Sequence, residues 1–433
     1  MKRIFSSKRD RLPAKACICL ITAALIAGIV GCDGHTPPSQ NLEIRTWHDL
    51  DAVRGNLSGS YILMNDLDST SAGYDELAGP TANQGKGWEP IGTILAQPYV
   101  LRSFVGTFDG QGHEIRDLFI NRLGEEYVGL FGIVDEGGQV EDISLVNATV
   151  TGYRFVGGLA GANSGAVRDS YSSSSVTGFE SVGRLIGHNG GTVSNSYSGG
   201  NVTGATASRF VGGLMGANVG TVSNSYSGGN VTGEAGVSWV GGLTGFNAGT
   251  VTNSYSSDNV TGWRHVGGLA GLNDYGGTVS DCYSTGSVTG IVDVGGLVGL
   301  NAEEGIVSNC YSSGNVTGDA NVGGDVGGLV GWNLGSVSNS YSTGSVSGNE
   351  NVGGLVGINA GTVGNSFWDT QTSRQSTSAG GTGKATGQMK NIATFSGVTW
   401  NITAVVNPGA RNSSYIWNIV DGVTYPFLSW QSV

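Results

Sequence analysis

Between Gly87 and Gly383 this chain contains no lysine, and that gap removes several chemistries at once. A polysaccharide lyase needs a basic residue to withdraw its proton, and the stretch from 157 to 368 offers only Arg168, Arg184, Arg209 and Arg264. Nucleic-acid binding, which rests on Lys and Arg against phosphate, fails for the same reason. Charged residues make up 12% of the chain, about half the ordinary share. No two of His35, His48, His113, His188 and His265 form a His-Glu-x-x-His pair, so zinc-peptidase chemistry has no ligands. None of the five cysteines lies in a Cys-x-x-Cys or beside a histidine cluster, which argues against a structural metal. Nucleophile elbow, phosphate loop and dinucleotide fingerprint are missing too, and no cofactor is implied.

Long apolar runs are also scarce. The one at Ala16 to Val30 has 15 residues, short of the roughly 20 that span a bilayer. It follows a basic stretch (Lys2, Arg3, Lys8, Arg9, Arg11, Lys15) and ends in Ile29-Val30-Gly31-Cys32. Residues 1–31 therefore resemble a bacterial lipoprotein signal, with Cys32 as the acylated N-terminus of the mature protein and 32–41, containing Pro37-Pro38, as a tether. The expected location is the cell envelope, lipid-anchored and exposed outside the cytoplasmic membrane. The lipid anchor makes the membrane a partner. Removing the signal leaves 15 basic against 32 acidic residues, a net −17, so anionic lipid and nucleic acid are both poor partners.

What the chain has in excess is glycine, 77 residues, and self-similarity. A unit close to Val-Gly-Gly-Leu-Val-Gly-x-Asn-x-Gly-x-Val-Ser-Asn-Ser-Tyr-Ser-x-Gly-x-Val-Thr-Gly places its Leu at 130, 159, 185, 214, 243, 269, 297, 329 and 355, in steps of 26 to 32 residues. The unit is too short for a four-stranded propeller blade, lacks leucine-rich spacing and has no helical period. Each copy offers three β-prone stretches, such as Val211 to Gly216, Thr221 to Ser227 and Asn230 to Gly233, parted by Gly and Asn suited to corners. The expected fold is all-β: a right-handed parallel β-solenoid (β-helix) with N- and C-terminal caps, in which like residues stack into columns.

The columns carry the candidate sites. Asn163, Asn189, Asn218, Asn247, Asn273, Asn301, Asn333 and Asn359 predict an amide ladder that satisfies corner polar groups. Tyr171, Tyr197, Tyr226, Tyr255, Tyr283, Tyr311 and Tyr341, followed by Phe367, form an aromatic column. Strict alternation puts Val, Asn and Tyr on one face, and a corner at Asn reverses this. Turned inward the rings are a core stack; turned outward they are a stripe for a surface glycan or protein ligand. Cys282 and Cys310 replace the Ser before Tyr in consecutive copies, which predicts neighbouring thiols, with two free thiols preferred over a bond. The column of Thr177, Thr203, Thr232, Thr261, Thr289 and Thr317, then Ser347, is ordinary strand chemistry before it is an ice-binding face.

The recurrent Gly-Leu-Val-Gly (296–299, 328–331 and 354–357), with Ala and Met variants at the third position, resembles the GLUG motif of bacterial surface proteins, including adhesins and some immunoglobulin-A peptidases. The resemblance covers 128–368 as nine copies and implies a surface role. The peptidase activity does not carry over, for want of ligands. One copy departs from the motif: Arg184 stands for the second Gly, so the backbone there must tolerate a side chain.

Segment 42–127 is expected to form an N-terminal cap and irregular first coils, because an open solenoid end exposes core and unpaired strands. Segment 369–433, with Trp400, Trp417, Tyr425, Phe427 and Trp430, is expected to be the C-terminal cap. Asp66, Asp68 and Asp109 offer paired carboxylates for a glycosidase or a Ca²⁺ site, but Asp beside Gly or Asn is ordinary turn chemistry. The reading is a non-catalytic, surface-anchored repeat protein for adhesion or envelope contact. The alternative is a carbohydrate-binding or carbohydrate-degrading β-helix.

Overall fold

A computed structural model describes residues 41–96 and 99–431. The signal at 1–31, Cys32 and the rest of the tether up to residue 40 lie outside the described residues.

One coil shows how the repeat folds. Met215–Asn218, Thr221–Ser223, Tyr226–Ser227, Asn230–Gly233 and Ser238–Gly241 are its strands. The last two belong to one sheet, so the coil has four walls rather than the three expected. The extra wall arises at Asn224, whose φ of 49° turns the chain and splits Thr221 to Ser227 into two strands. Asn tolerates this left-handed conformation better than most residues do, and Asn195, Asn253, Asn309 and Asn339 repeat the corner at φ between 46° and 53°. The walls are sheets of 9, 12, 11 and 14 strands, referred to below as the Asn, hydroxyl, Tyr and Val-Gly sheets. Coil pairs with coil in parallel throughout, for example Thr221↔Thr250, Tyr226↔Tyr255 and Asn218↔Asn247. The chain is thus a parallel β-solenoid of nine GLUG-length turns.

Alternation fills the core. Val222, Val231 and Val240 point inward and are fully buried, as are all nine Leu of the repeat. Burying each such side chain contributes about 1.5–3 kcal/mol. Neighbouring copies lie flat on one another: the Leu185 N–H donates to Leu214 O at 3.0 Å, and Leu214 N–H to Leu243 O at 3.0 Å. The Gly after each first Gly is needed for this approach. A Cβ on Gly268 would lie 2.1 Å from the Gly296 carbonyl oxygen.

Arg184 breaks that glycine column, and the structure shows how. Its side chain turns inside the solenoid, fully buried, and pairs with the equally buried Asp258 two coils on. Its Nη1 also donates to Gly228 O at 2.7 Å. Room comes from Gly213, where a Cβ would lie 2.8 Å from Arg184 Nη2 and 2.6 Å from Asp258 Oδ2. Asp258 itself occupies a position held by Gly200 and Gly229 in the two preceding coils.

The leading segment winds into the same walls. Leu42–Ile44, Ser60–Leu63 and Thr107–Asp109 are the first three strands of the hydroxyl sheet. A short helix, Trp47–Ala52, lids the end with buried Trp47 and Leu50. It is capped by Thr46, whose Oγ1 accepts the Asp49 N–H at 3.2 Å while Asp49 accepts the Thr46 N–H at 2.9 Å. At the far end Trp368 drops into the main core. Residues 373–379 follow the last coil, with Gly354 N–H donating to Thr377 O at 3.0 Å. No helix among the described residues is long and apolar enough to cross a membrane.

Candidate functional site

The corner at Asn decides where the tyrosines go. Where Ser precedes the Tyr it points in and its hydroxyl returns to the backbone, as Ser196 Oγ does to Ser194 O at 2.8 Å. Tyr then points out. Tyr171, Tyr197, Tyr226, Tyr255, Tyr283, Tyr311 and Tyr341 form one outward ladder, with successive ring centroids 4.3, 4.9, 4.8, 4.7, 4.9 and 5.1 Å apart. From Tyr197 onward neighbouring rings are within 9° of parallel. Stacking of this kind occupies the ring faces, so the ladder shows its surroundings ring edges and hydroxyls.

The ladder is not uniformly open. Tyr197 is 37% exposed, whereas Tyr311, Tyr341 and Phe367 are 9%, 2% and 4% exposed. The cover is the C-terminal tail, which here departs from its expected role. Its aromatic cluster does not close the end of the solenoid but folds back along the flank. Two short helices, Thr386–Met389 and Ile392–Ser396, and a three-stranded sheet of Ile402–Ala404, Trp417–Ile419 and Phe427–Leu428 build a small core of their own. From it each large ring meets a rung: Trp400 lies 6.1 Å from Phe367, Trp417 5.7 Å from Tyr341, and Trp430 5.7 Å from Tyr283. Buried hydroxyls find partners, since Tyr341 donates to Pro426 O and Tyr311 accepts from Gln431 Nε2 at 2.6 Å. Burial pushes the Tyr341 phenol well above its ordinary range and raises Tyr311 as well.

Asp369 joins tail to solenoid. Its Oδ2 accepts from Tyr425 Oη at 2.6 Å and from Thr386 Oγ1 at 2.7 Å, and its Oδ1 from the Gln371 N–H at 2.8 Å. Burial alone would raise this carboxyl, but the hydrogen bonds outweigh it and hold it below its usual range. The same bond, with burial as the larger cause, pushes the Tyr425 phenol up to about 12.

The remaining candidates sort into structural roles. Seven Asn-to-Asn bonds of 2.7–2.8 Å run from Asn163 to Asn359 along the inside of the Asn sheet. Cys282 and Cys310 are free, buried and stacked in consecutive coils, each donating to a backbone oxygen where other copies use Ser. Burial raises the Cys310 thiol well above its ordinary value, and Cys282 adds to this. Asp109 accepts from the Gln111 N–H at 2.8 Å, Asp68 from the Thr70 N–H at 2.8 Å and Asp66 from the Glu114 N–H at 3.0 Å, all local turn or inter-coil bonds. Among the described residues no three His, Cys, Asp or Glu come together as metal ligands would.

The family profile described as the GLUG motif matches residues 264–289, 292–317 and 322–347. The chain carries GLUG repeats. Those three GLUG copies hold Tyr283, Tyr311 and Tyr341, the rungs that the tail covers. Over 139 residues, 31% of the chain, it is 35% identical to halomucin of Haloquadratum walsbyi. Over 129 residues, 29% of the chain, it is 36% identical to a protein of Evansella cellulosilytica named for Gly-rich membrane character. The matched parts span 1% and 13% of those two relatives' lengths. A crystal structure from Bacteroides ovatus, described as that of an immunoglobulin A1 protease, aligns over 92% of this chain and 94% of its own, at 16% identity and a TM-score of 0.40.

Two features around the GLUG repeats have no counterpart in the sequence reading. Glu126, Arg154, Glu180 and Arg209 line up in register on the Val-Gly sheet, with Arg154 bridging both neighbours at 3.2 and 3.1 Å. The tail's embrace of the ladder has no periodic signal either: Tyr311 and Tyr341 enter the tail's core beside Phe367 although they match the rungs that stay outside it.

Proposed function

We propose that this chain is a non-catalytic repeat protein of the cell envelope, anchored through lipid on Cys32, that makes adhesive or envelope contacts through its solenoid flank. The observation that carries the reading is the flank itself: a charge-poor array of GLUG repeats that ends in a dedicated aromatic module built on the tyrosine ladder. The names of two relatives, halomucin and a Gly-rich membrane protein, favour a surface setting.

The test is expression of the full chain in a bacterial host that processes lipoproteins. The chain should fractionate with membranes and be cut by external protease, and Cys32→Ser should release it. Cells that display it should attach to glycan- or protein-coated surfaces better than cells without it. Equal attachment would sink the adhesive reading. A second reading, saccharide binding, is favoured by the cleft described next.

A further inference from the structure

At the margin where the tail stops covering the ladder, a cleft of about 340 Å³ opens between tail and solenoid. Its solenoid side is the corner column: Asn253 and Asp281 stand at φ 46° and 53° on consecutive coils. Its tail side holds Asn401, Ser414 and Tyr415, with Trp430 across the junction. Trp430 is locked in place, because its Nε1 donates to Asp281 O at 3.1 Å while its ring leans on Tyr283 at 5.7 Å and Tyr255 at 6.4 Å. Tyr415, in contrast, is 39% exposed and belongs to neither hydrophobic core.

The polar groups around the cleft are largely unspent. Asp281 sets its carboxyl in the cleft wall, where Oδ1 meets no donor at hydrogen-bonding geometry and the Asn309 amide of the next coil is its side-chain neighbour. Asn401 uses its Oδ1 on the Ile416 N–H at 2.8 Å, which leaves its Nδ2 donors over. Tyr415 and Trp430 rings, paired carboxylate and amide groups, and a serine hydroxyl therefore converge on one space of ligand size.

We propose that this cleft binds a neutral saccharide unit of a glycan. A sugar ring carries an apolar C–H face and a rim of hydroxyls that both donate and accept. An aromatic side chain covers the first, and planar Asp and Asn side chains suit the second. Among the lining residues there is no Lys or Arg to meet an acidic sugar, Asp281 stands in the way of one, and the whole chain carries −12. The stacked ladder cannot do this work, since its ring faces are already taken. This deepens the surface-contact reading, on which it rests only for where the glycan is met.

The test uses the full chain in detergent and four probes: tetrasaccharides of glucose, mannose and N-acetylglucosamine, with tetragalacturonate as the acidic counterpart. Calorimetry should show at least one neutral tetrasaccharide binding and tetragalacturonate failing to bind. Tyr415→Ala and Asp281→Asn, which leave the rings that grip the ladder untouched, should each weaken binding about tenfold, the size of one lost contact of this type. Unchanged thermal unfolding would show that both variants are folded. The assignment falls if no neutral probe binds, if both variants bind as before, or if the acidic probe binds equally well. The two readings fail separately: absent sugar binding removes the cleft but not the attachment, and absent attachment removes the adhesive reading even if sugar binds.

Discussion

The two halves of the repeat array, alike in motif, register and ring spacing, differ in what lies inside and beside them. In the first half Tyr197 is exposed and Tyr171 and Tyr226 are half-buried, and the core holds a buried ion pair, Arg184 with Asp258. In the second half Tyr311 and Tyr341 are clamped by Trp417, and the core holds two stacked thiols. The repeat sets geometry, and departures from it set the properties. A periodic sequence makes every rung equivalent, so only a non-periodic element such as the tail can tell one stretch of ladder from another.

The sharpest way to break this comparison is inside the first half. Arg184→Gly restores the repeat consensus, yet it should destabilise by about 3–5 kcal/mol at neutral pH, because it strands a buried carboxylate. Arg184→Gly with Asp258→Gly should recover most of that loss. Denaturant unfolding checks both, and a neutral single variant would show that the pair carries nothing. The pH dependence has a definite sign. Burial pushes the Asp258 carboxyl up even against the pull of Arg184, so the folded state holds the proton more tightly than the unfolded state does. Its stabilising contribution is present below the ordinary value of 3.8 and is lost as pH rises through the folded value. The single variant should therefore recover stability on acidification.

In the second half Trp417→Ala should cost the tail about 3–5 kcal/mol, the usual penalty for emptying a buried aromatic site. Amide exchange should quicken in 385–431 and leave the coils around Leu159 to Leu243 unchanged; equal quickening everywhere would mean that the tail and the array are one cooperative unit. A milder form of the same break is alkaline. Tyr311, Tyr341 and Tyr425 all have raised phenols, with Tyr425 at about 12. Their contribution is fully present below the unfolded value near 10 and is lost as pH rises through the folded values. Tryptophan fluorescence should report tail release above about pH 10 while the far-ultraviolet signal of the solenoid persists. The smallest effect belongs to the thiols. Cys282→Ser and Cys310→Ser should each change stability by less than about 1 kcal/mol, since Ser fills the same column elsewhere. Native protein should resist a thiol reagent that reacts with both residues after unfolding.

Coil stacking was legible because a letter repeated at a fixed period becomes a column whatever the details of the turn. The fourth wall was not, since Tyr226–Ser227 is two residues long and Asn224 reads equally as strand or corner until its φ is known. The Arg184–Asp258 pair was half legible. Both residues break glycine columns, but they stand 74 positions apart, and nothing local ties them. The tail was the least legible: Trp430 reaches Asp281 across 149 positions, with no periodicity to announce the contact.

Hydroxyl-radical footprinting of the full chain, read tyrosine by tyrosine, tests the difference between the halves most directly. Oxidation should be strong at Tyr197, intermediate at Tyr226 and Tyr255, and nearly absent at Tyr311 and Tyr341, with Trp417→Ala raising the last two to the level of Tyr197. Equal oxidation along the whole ladder in the unaltered protein would contradict the account.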